Sequence, residues 1–345
     1  MGAQKSGNAR PTKTMSESTL FMADIVGDEG LAGQRMQAGA ILDLIDVLAG
    51  RIAVEHARSP VVTLAFDRVE LTYPILHQDL VRLEGKMAAV GSSSMTVHVQ
   101  GYRMDPLSRK FRPIQSCYVT MVAVDEHLRP NKNIPGLKVT RKDEQALHED
   151  ALAHKARSME WERIQQQSAP DKILRVRDVE EPINREKSEY ISPSDSAITL
   201  QRIFLPRNTN VLGTIFGGDI LLWMDRVATF CARHFTRNKH MITIAMNQLL
   251  FRHPIRTTDL VAIDARVVMV RNFTLEVETV VRLKHINGEE EISHSGHFTI
   301  LSYDEAGFKR PITTGLKLED EDQDGLRAYH QARERRRFWM DQTEG

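Results

Sequence analysis

The chain has only two cysteines in 345 residues, Cys117 and Cys231, and neither has a CxxC companion. That excludes a disulfide framework and a cysteine metal site, and it leaves both as small core hydrophobes of a reducing compartment. No run of about 18 apolar residues occurs, which excludes a bilayer-spanning helix. No apolar segment follows Met1, which argues against a secretory signal. Charge of one sign is not in excess: Lys plus Arg equals Asp plus Glu at 46 each. Hence no global field draws the protein to nucleic acid or to a membrane surface. The 13 histidines show no HExxH or other metal-ligand spacing, and there is no GxSxG elbow. These absences point to a cytoplasmic protein without metal or cofactor, nucleic-acid partner or stable membrane anchor. One exception concerns the N-terminus, where Met1-Gly2-Ala3-Gln4-Lys5-Ser6 fits the N-myristoylation pattern at Gly2. Residues 1–16 otherwise read as a flexible basic tail, which also leaves organelle targeting open.

What is present is organised around residues 208–225, NTNVLGTIFGGDILLWMD. Asn210 and Gly213 precede a double glycine, Gly217-Gly218, and an apolar run then leads to Asp225. The glycines fall where a loop turns into a helix, so backbone there can approach a ligand closely. Ile220, Met224, Val227, Ala228 and Cys231 recur at helical spacing and make one buried stripe. Asp225 lies seven residues past Gly218, about two turns along the same face. A carboxylate on the edge of a buried stripe is costly. It calls for an explanation beyond a chance polar residue.

The stripe occurs twice. Subtracting 179 from each position gives Ile41, Ile45, Leu48, Ala49 and Ile52, and Asp225 maps onto Asp46. Thr63-Leu64-Ala65 then pairs with Thr243-Ile244-Ala245, Tyr73-Pro74-Ile75 with His253-Pro254-Ile255, and Asp79-Leu80-Val81 with Asp259-Leu260-Val261. The chain is therefore a tandem duplication: a strand, one long helix, then several long strands, twice. One helix before several alternating strands predicts an α+β unit in which a curved antiparallel sheet wraps that helix. The expected layout is a tail over 1–16, a first domain over 17–136, a helical linker over 137–190, a second domain over 191–315 and a C-terminal helix over 316–345. Both helices that follow a sheet are expected to be exposed and amphipathic, with the Arg335-Arg336-Arg337 run as a solvated face or a phosphate contact.

Asn210-x-x-Gly213-x-x-Phe216-Gly217-Gly218, with Asp225 seven residues on, resembles the signature of acyl-CoA thioesterases of the hot-dog superfamily. The resemblance to the tandem members, with two hot-dog domains in one chain, extends from about 17 to 342. The Pro-x-x-x-Gly-Asp turn of that family departs here, with Thr258 and Gln78 in the glycine's place. The resemblance implies hydrolysis of fatty acyl-CoA to free acid and CoA, at a site where a loop of one domain faces the helix carboxylate of the other. It also implies a homo-oligomer, a trimer of double hot-dog chains, and a role in fatty acid metabolism.

The chemistry suits the residues. N–H groups at a helix start, here around Gly39, Gly217 and Gly218, are aimed donors for the charge that develops on a thioester carbonyl. An Asp can deprotonate water or attack directly, and an Asn amide can hold water or carbonyl. Gly213, Phe216 and Trp223 are candidates for substrate contact. The copies differ: Asp46 and Gly39 persist in the first, but its loop places Leu31 opposite Asn210 and Gln34 opposite Gly213. The complete catalytic site is expected to join Asn210 to Asp46, with Asp225 facing a loop without Asn. Two other readings stay open. An enoyl-CoA hydratase would use a His after each Asp, and His56 and His234 follow at ten and nine residues. A non-catalytic acyl-CoA-binding module would leave the carboxylates idle. Apolar strand positions Val261, Ile263, Val267 and Val277 are expected on an outer face that assembly would cover.

Overall fold

The structure is a computed structural model that describes residues 10–27, 31–105, 107–167 and 173–340. Its first half runs β1 (Thr12–Thr14), β2 (Thr19–Ile25), β3 (Leu31–Ala32), β4 (Arg35–Met36), α1 (Ala38–Ala57), β5 (Val61–Phe66), β6 (Val69–Glu70), β7 (Leu80–Val90), β8 (Ser94–Met104), β9 (Phe111–Ala123) and β10 (Gly136–Lys138). Helices α2 (Lys142–Gln167), α3 (Val176–Val179) and α4 (Pro182–Arg185) connect to the second half. That half runs β11 (Glu189–Ile191), β12 (Ile198–Ile203), α5 (Gly217–Thr236), β13 (Met241–Met246), β14 (Leu249–Leu250), β15 (Leu260–Val270), β16 (Thr274–Lys284), β17 (Glu290–Ser302), β18 (Thr314–Leu316) and α6 (Gln323–Met340).

Two hot-dog domains result. Each α-helix lies in the hollow of an antiparallel sheet because its apolar stripe meets the inward side chains of the long strands. Ile41, Ile45 and Ala49 of α1 are fully buried, as are Val227, Ala228 and Cys231 of α5. Where α1 presses hardest on its sheet, the strand residue is Gly85; a Cβ there would stand 2.3 Å from Ile52 Cδ1. Both helices end the same way, at Arg58 (φ 53°) and Arg237 (φ 50°) in the left-handed conformation. Both cysteines are free and buried.

The sheets are ordered β14-β5-β9-β8-β7-β2 and β12-β15-β16-β17-β13-β6. Each therefore ends on a two-residue strand from the other domain. Leu249 and Leu250 pair with Phe66 and Ala65, while Val69 and Glu70 pair with Met246 and Ala245. This reciprocal exchange joins the domains edge to edge and removes one exposed edge from each sheet.

Several expectations change. Residues 12–14 are no tail: β1 pairs in parallel with β10, as β11 pairs with β18, so each repeat starts a few residues earlier than its apolar pattern suggests. Gly2 and the rest of residues 1–9 lie outside the described residues. Val261, Ile263, Val267 and Val277 are each fully buried in the core that surrounds α5, so they do not make an outer face. Helices α2 and α6 are not exposed all round either. They cross the outer faces of the sheets, with Ala151 and Ala332 buried. Ser158 donates to Asp67 at 2.9 Å, and His154 meets the same carboxylate at 3.0 Å. On α6, Arg335 is 2% exposed and donates to Glu276 at 2.6 and 2.9 Å. The two helices meet through Trp161 and Phe338, ring centroids 5.2 Å apart. Their polar faces look solvated in sequence because the acids they meet, Asp67 just after β5 and Glu276 on β16, come from distant parts of the chain.

Gln78, which replaces the turn glycine, adopts φ 67°. The left-handed backbone is thus kept at a cost of about 1 kcal/mol for a residue with a Cβ. Asp79 and Asp259 still close their turns, accepting from Leu76 N and Arg256 N at 2.8 Å each.

Candidate active site

The two long helices pack side by side, each laying its N-terminal glycine on the other. A Cβ on Gly39 would stand 2.7 Å from Leu222 Cα, and one on Gly218 would stand 2.9 Å from Asp43 Cα. These approaches are closer than any side chain tolerates, which is the physical reason for glycine at both positions. They also bring the first turn of each helix onto the carboxylate of the other. Gly218 N–H donates to Asp46 Oδ2 at 2.8 Å, and Gly39 N–H donates to Asp225 Oδ2 at 2.8 Å. Gly217 lies at the same place, since its Cβ would be 3.2 Å from Asp46 Oδ2 and 3.3 Å from the Phe251 ring. So the structure assembles two related half-sites, one around Asp46 and one around Asp225.

A threonine completes each. Thr63 donates to Asp46 Oδ1 at 2.7 Å, and Thr243 donates to Asp225 Oδ1. Both threonines immediately precede a β-bulge, which falls between Thr63 and Ala65 and between Thr243 and Ala245. Bulges re-aim side chains, and here the bulged residues also bind the partner domain. Leu64 O accepts from Phe251 N and Ile244 O accepts from Leu71 N. Sequence reasoning missed the role of these threonines. Their identical place in the two repeats was the available signal.

Asp46 is 4% exposed and Asp225 1%. Burial pushes the Asp46 carboxyl up to about 6, against the lowering effect of the Thr63 and Gly218 hydrogen bonds, and the charge of Asp219 adds to the rise. Burial also raises Asp225, while the hydrogen bonds from Thr243 and Gly39 and the charges of Arg226 and Arg233 oppose it. The Asp46 half-site holds two further acids. Asp43 is pushed up to about 6 by burial, then by Asp219 and Asp46, and Asp219 is raised by burial. Asn208 Nδ2 holds Asp219 Oδ1 at 3.0 Å.

The loop before α5 is shaped by Asn210. Its Oδ1 accepts from Leu212 N at 2.9 Å and Thr214 N at 3.2 Å, and its Nδ2 donates to Thr214 Oγ1 at 2.8 Å. Among the described residues these bonds stay within its own turn. The turn closes on Gly213 (φ 73°) and leads through Phe216, at the cap of α5, to Gly217. In the first repeat the turn is one residue shorter. Leu31 pairs with Met36 and Ala32 with Arg35, around Gly33 at φ 65°; Arg35 and Thr214 bridge equivalent residues, so Gln34 stands opposite Gly213 while the left-handed residue of the shorter turn is Gly33.

Trp223 is 8% exposed and packs edge-on against Phe204 at 5.9 Å, beneath the Arg202 guanidinium. Phe216 is 40% exposed at the helix start. His56 is occupied elsewhere, with Ser18 Oγ and Pro135 O each at 3.0 Å from its ring nitrogens. His234 is exposed. Neither histidine stands with its aspartate as a hydratase pair would. His294 is buried edge-on against Phe251 at 4.8 Å, and burial pushes it down to about 3. Among the described residues no group of His, Cys, Asp and Glu could hold a metal, and no helix is long and apolar enough to cross a membrane.

A thioesterase superfamily model matches residues 36–108 and 212–289. The chain is 24% identical over 310 residues to acyl-coenzyme A thioesterase 11 of Mus musculus, across 89% of this chain and 50% of that protein. It is 24% identical over 316 residues to acetyl-coenzyme A thioesterase of Rattus norvegicus, across 88% of this chain and 54% of that protein. It thus spans about half the length of these curated relatives. An uncharacterised acyl-CoA thioester hydrolase of Zymomonas mobilis is 30% identical over 137 residues, 40% of this chain and 91% of that one. Among solved structures, acyl-CoA hydrolase from Staphylococcus aureus, in complex with butyryl-CoA and CoA, is 28% identical with a TM-score of 0.43, across 46% of this chain and 96% of that one.

Proposed function

The chain belongs to the thioesterase superfamily, and on that premise we propose that it hydrolyses acyl-CoA thioesters to free acid and CoA at the Asp46 half-site. The observation that carries this reading is the buried Asp46 carboxylate, which accepts at 2.8 Å from the first turn of a partner helix. Asp46 takes a proton from water, and the water oxygen adds to the thioester carbonyl carbon. The negative charge that forms on the carbonyl oxygen is met by first-turn N–H groups of α5, aided by the helix dipole. As the carbon–sulfur bond breaks, the CoA sulfur leaves with the electron pair and takes the proton back from Asp46. Direct attack by Asp46 through an anhydride is the variant of the same step. Thr63 fixes the carboxylate's orientation in either case. Asn210 shapes the loop that delivers Gly217 and Gly218, and its amide is assigned to holding water or carbonyl. No metal or second cofactor enters the scheme.

Release of free thiol from acyl-CoAs of graded chain length tests the reading. Turnover is expected with at least one ester, and loss of enoyl absorbance without thiol would instead support a hydratase. Asn210→Ala is expected to lower turnover on the order of 100-fold if the amide is a preorganised donor. A change below about threefold would confine Asn210 to shaping its turn.

We also assign the protein to a homo-oligomer, with a trimer of double-domain chains as the favoured form. The support is at the sheet edges. β2 and β12 are the terminal strands, and Phe21 and Ile25 on one, with Leu200 and Ile203 on the other, are 40–64% exposed. Unpaired edges carrying large apolar side chains are association surfaces. Light scattering at micromolar concentration is expected to give a multiple of the 39.2 kDa chain mass, and Ile25→Lys with Ile203→Lys is expected to lower it. A monodisperse wild-type species at the chain mass would refute the assignment.

A further inference from the structure

We propose that Asp43 and Asp219 set the acyl specificity of the Asp46 half-site by excluding acyl groups that end in a carboxylate; the inference rests on the hydrolase reading above. The two half-sites are built by the same fold, so differences between them isolate what each has added. Asp43 occupies on α1 the place that Leu222 occupies on α5, each laid against the opposite glycine: a Cβ on Gly218 would lie 2.9 Å from Asp43 Cα, and one on Gly39 would lie 2.7 Å from Leu222 Cα. Asp219, two residues into α5, corresponds to Ala40 in α1. One half-site thus carries apolar residues where the other carries two carboxylates.

Those carboxylates sit beside the reacting groups. Asp43 Oδ1 lies 2.2 Å from where a Gly218 Cβ would be, on the same residue whose N–H holds Asp46. Asp219 is tied down by Asn208 at 3.0 Å, so it does not swing clear. Arg202 and Arg207 act on Asp219, and the charge that acts on Asp46 is that of Asp219 itself. At the other half-site the charges acting on Asp225 are those of Arg226 and Arg233. The surroundings of the two aspartates therefore have opposite sign.

An uncharged acyl chain crosses the acidic wall with little cost. A second carboxylate brought within several ångströms of two fixed ones meets repulsion that water screens only in part. Discrimination through a like-charge contact is a common specificity device. The CoA portion is the same in every ester, so its own charge cancels in a comparison of acyl groups.

The test compares butyryl-CoA with succinyl-CoA, which share a four-carbon acyl chain and differ in the terminal carboxylate. The kcat/KM ratio is expected to favour butyryl-CoA in the wild type. In Asp43→Leu with Asp219→Ala, which installs the residues of the other half-site, the ratio is expected to fall about tenfold to 100-fold. Asp43→Asn with Asp219→Asn keeps the shape and is expected to move the ratio in the same direction. An unchanged ratio in both folded variants, with butyryl-CoA still turned over, overturns the proposal alone. Absence of thiol from both esters and from acyl-CoAs of every other chain length in the wild type overturns the hydrolase reading and this proposal with it.

Discussion

Asp46→Asn is expected to lower turnover of a reactive acyl-CoA by roughly 100- to 10,000-fold, because it keeps the shape of the side chain and removes the base. Asp225→Asn is expected to cost at most about twofold to tenfold. Both aspartates are buried, both accept from a threonine, and both accept from a helix-start N–H. The difference lies around them. The Asp46 half-site borders the loop that carries Asn210, whereas the turn next to the Asp225 half-site is one residue shorter and has no Asn between Leu31 and Met36. A base held near pH 6 works only when ionised, so wild-type kcat/KM is expected to rise with pH through about 6 and then level. Single-turnover rates at saturating substrate, with circular dichroism to establish folding, decide the assignment. A dead Asp225→Asn beside a near-normal Asp46→Asn would reverse the working half-site.

Gly218→Ala should damage both stability and turnover. The added Cβ stands 2.2 Å from Asp43 Oδ1 and 2.9 Å from Asp43 Cα. The carboxylate can turn away, but the Cα belongs to helix backbone, so α1 and α5 must separate. Overpacking of that kind costs about 1–3 kcal/mol. It also pulls Gly218 N–H off Asp46, and a misplacement near 1 Å in such a constellation costs on the order of 100-fold in rate. Gly39→Ala meets backbone just as closely, 2.7 Å from Leu222 Cα. It is expected to match Gly218→Ala in thermal stability but to spare more of the activity, because it disturbs the Asp225 side. Thermal melts and steady-state rates of the two variants separate packing from chemistry. Equal activity losses at equal melting temperatures would show that the half-sites contribute alike.

The architecture is legible in the residue pattern alone. Two apolar stripes 179 residues apart, each followed by alternating strands, dictate two helices inside two antiparallel sheets, and α1 forms over the residues its stripe predicts. The same pattern marked Asp46 and Asp225 as carboxylates on buried helix faces and the glycines as sites of close approach. Other features were decided only in three dimensions. The contacts Gly218–Asp46 and Gly39–Asp225 join residues 172 and 186 apart; such pairs leave no local signal, because helix periodicity says which face is buried and not what is laid on it. The direction of Thr63 and Thr243 depends on bulges that a period-two pattern does not contain. Alternation groups Val261, Ile263 and Val267 on one face but does not say whether that face turns inward; the curvature around α5 does. The polar faces of α2 and α6 look solvated until the fold brings Asp67 beneath Ser158 and His154 and Glu276 beneath Arg335. Local patterns thus specified the elements and their buried faces, while chain reversal and the exchange of strands between domains chose the partners that make the site.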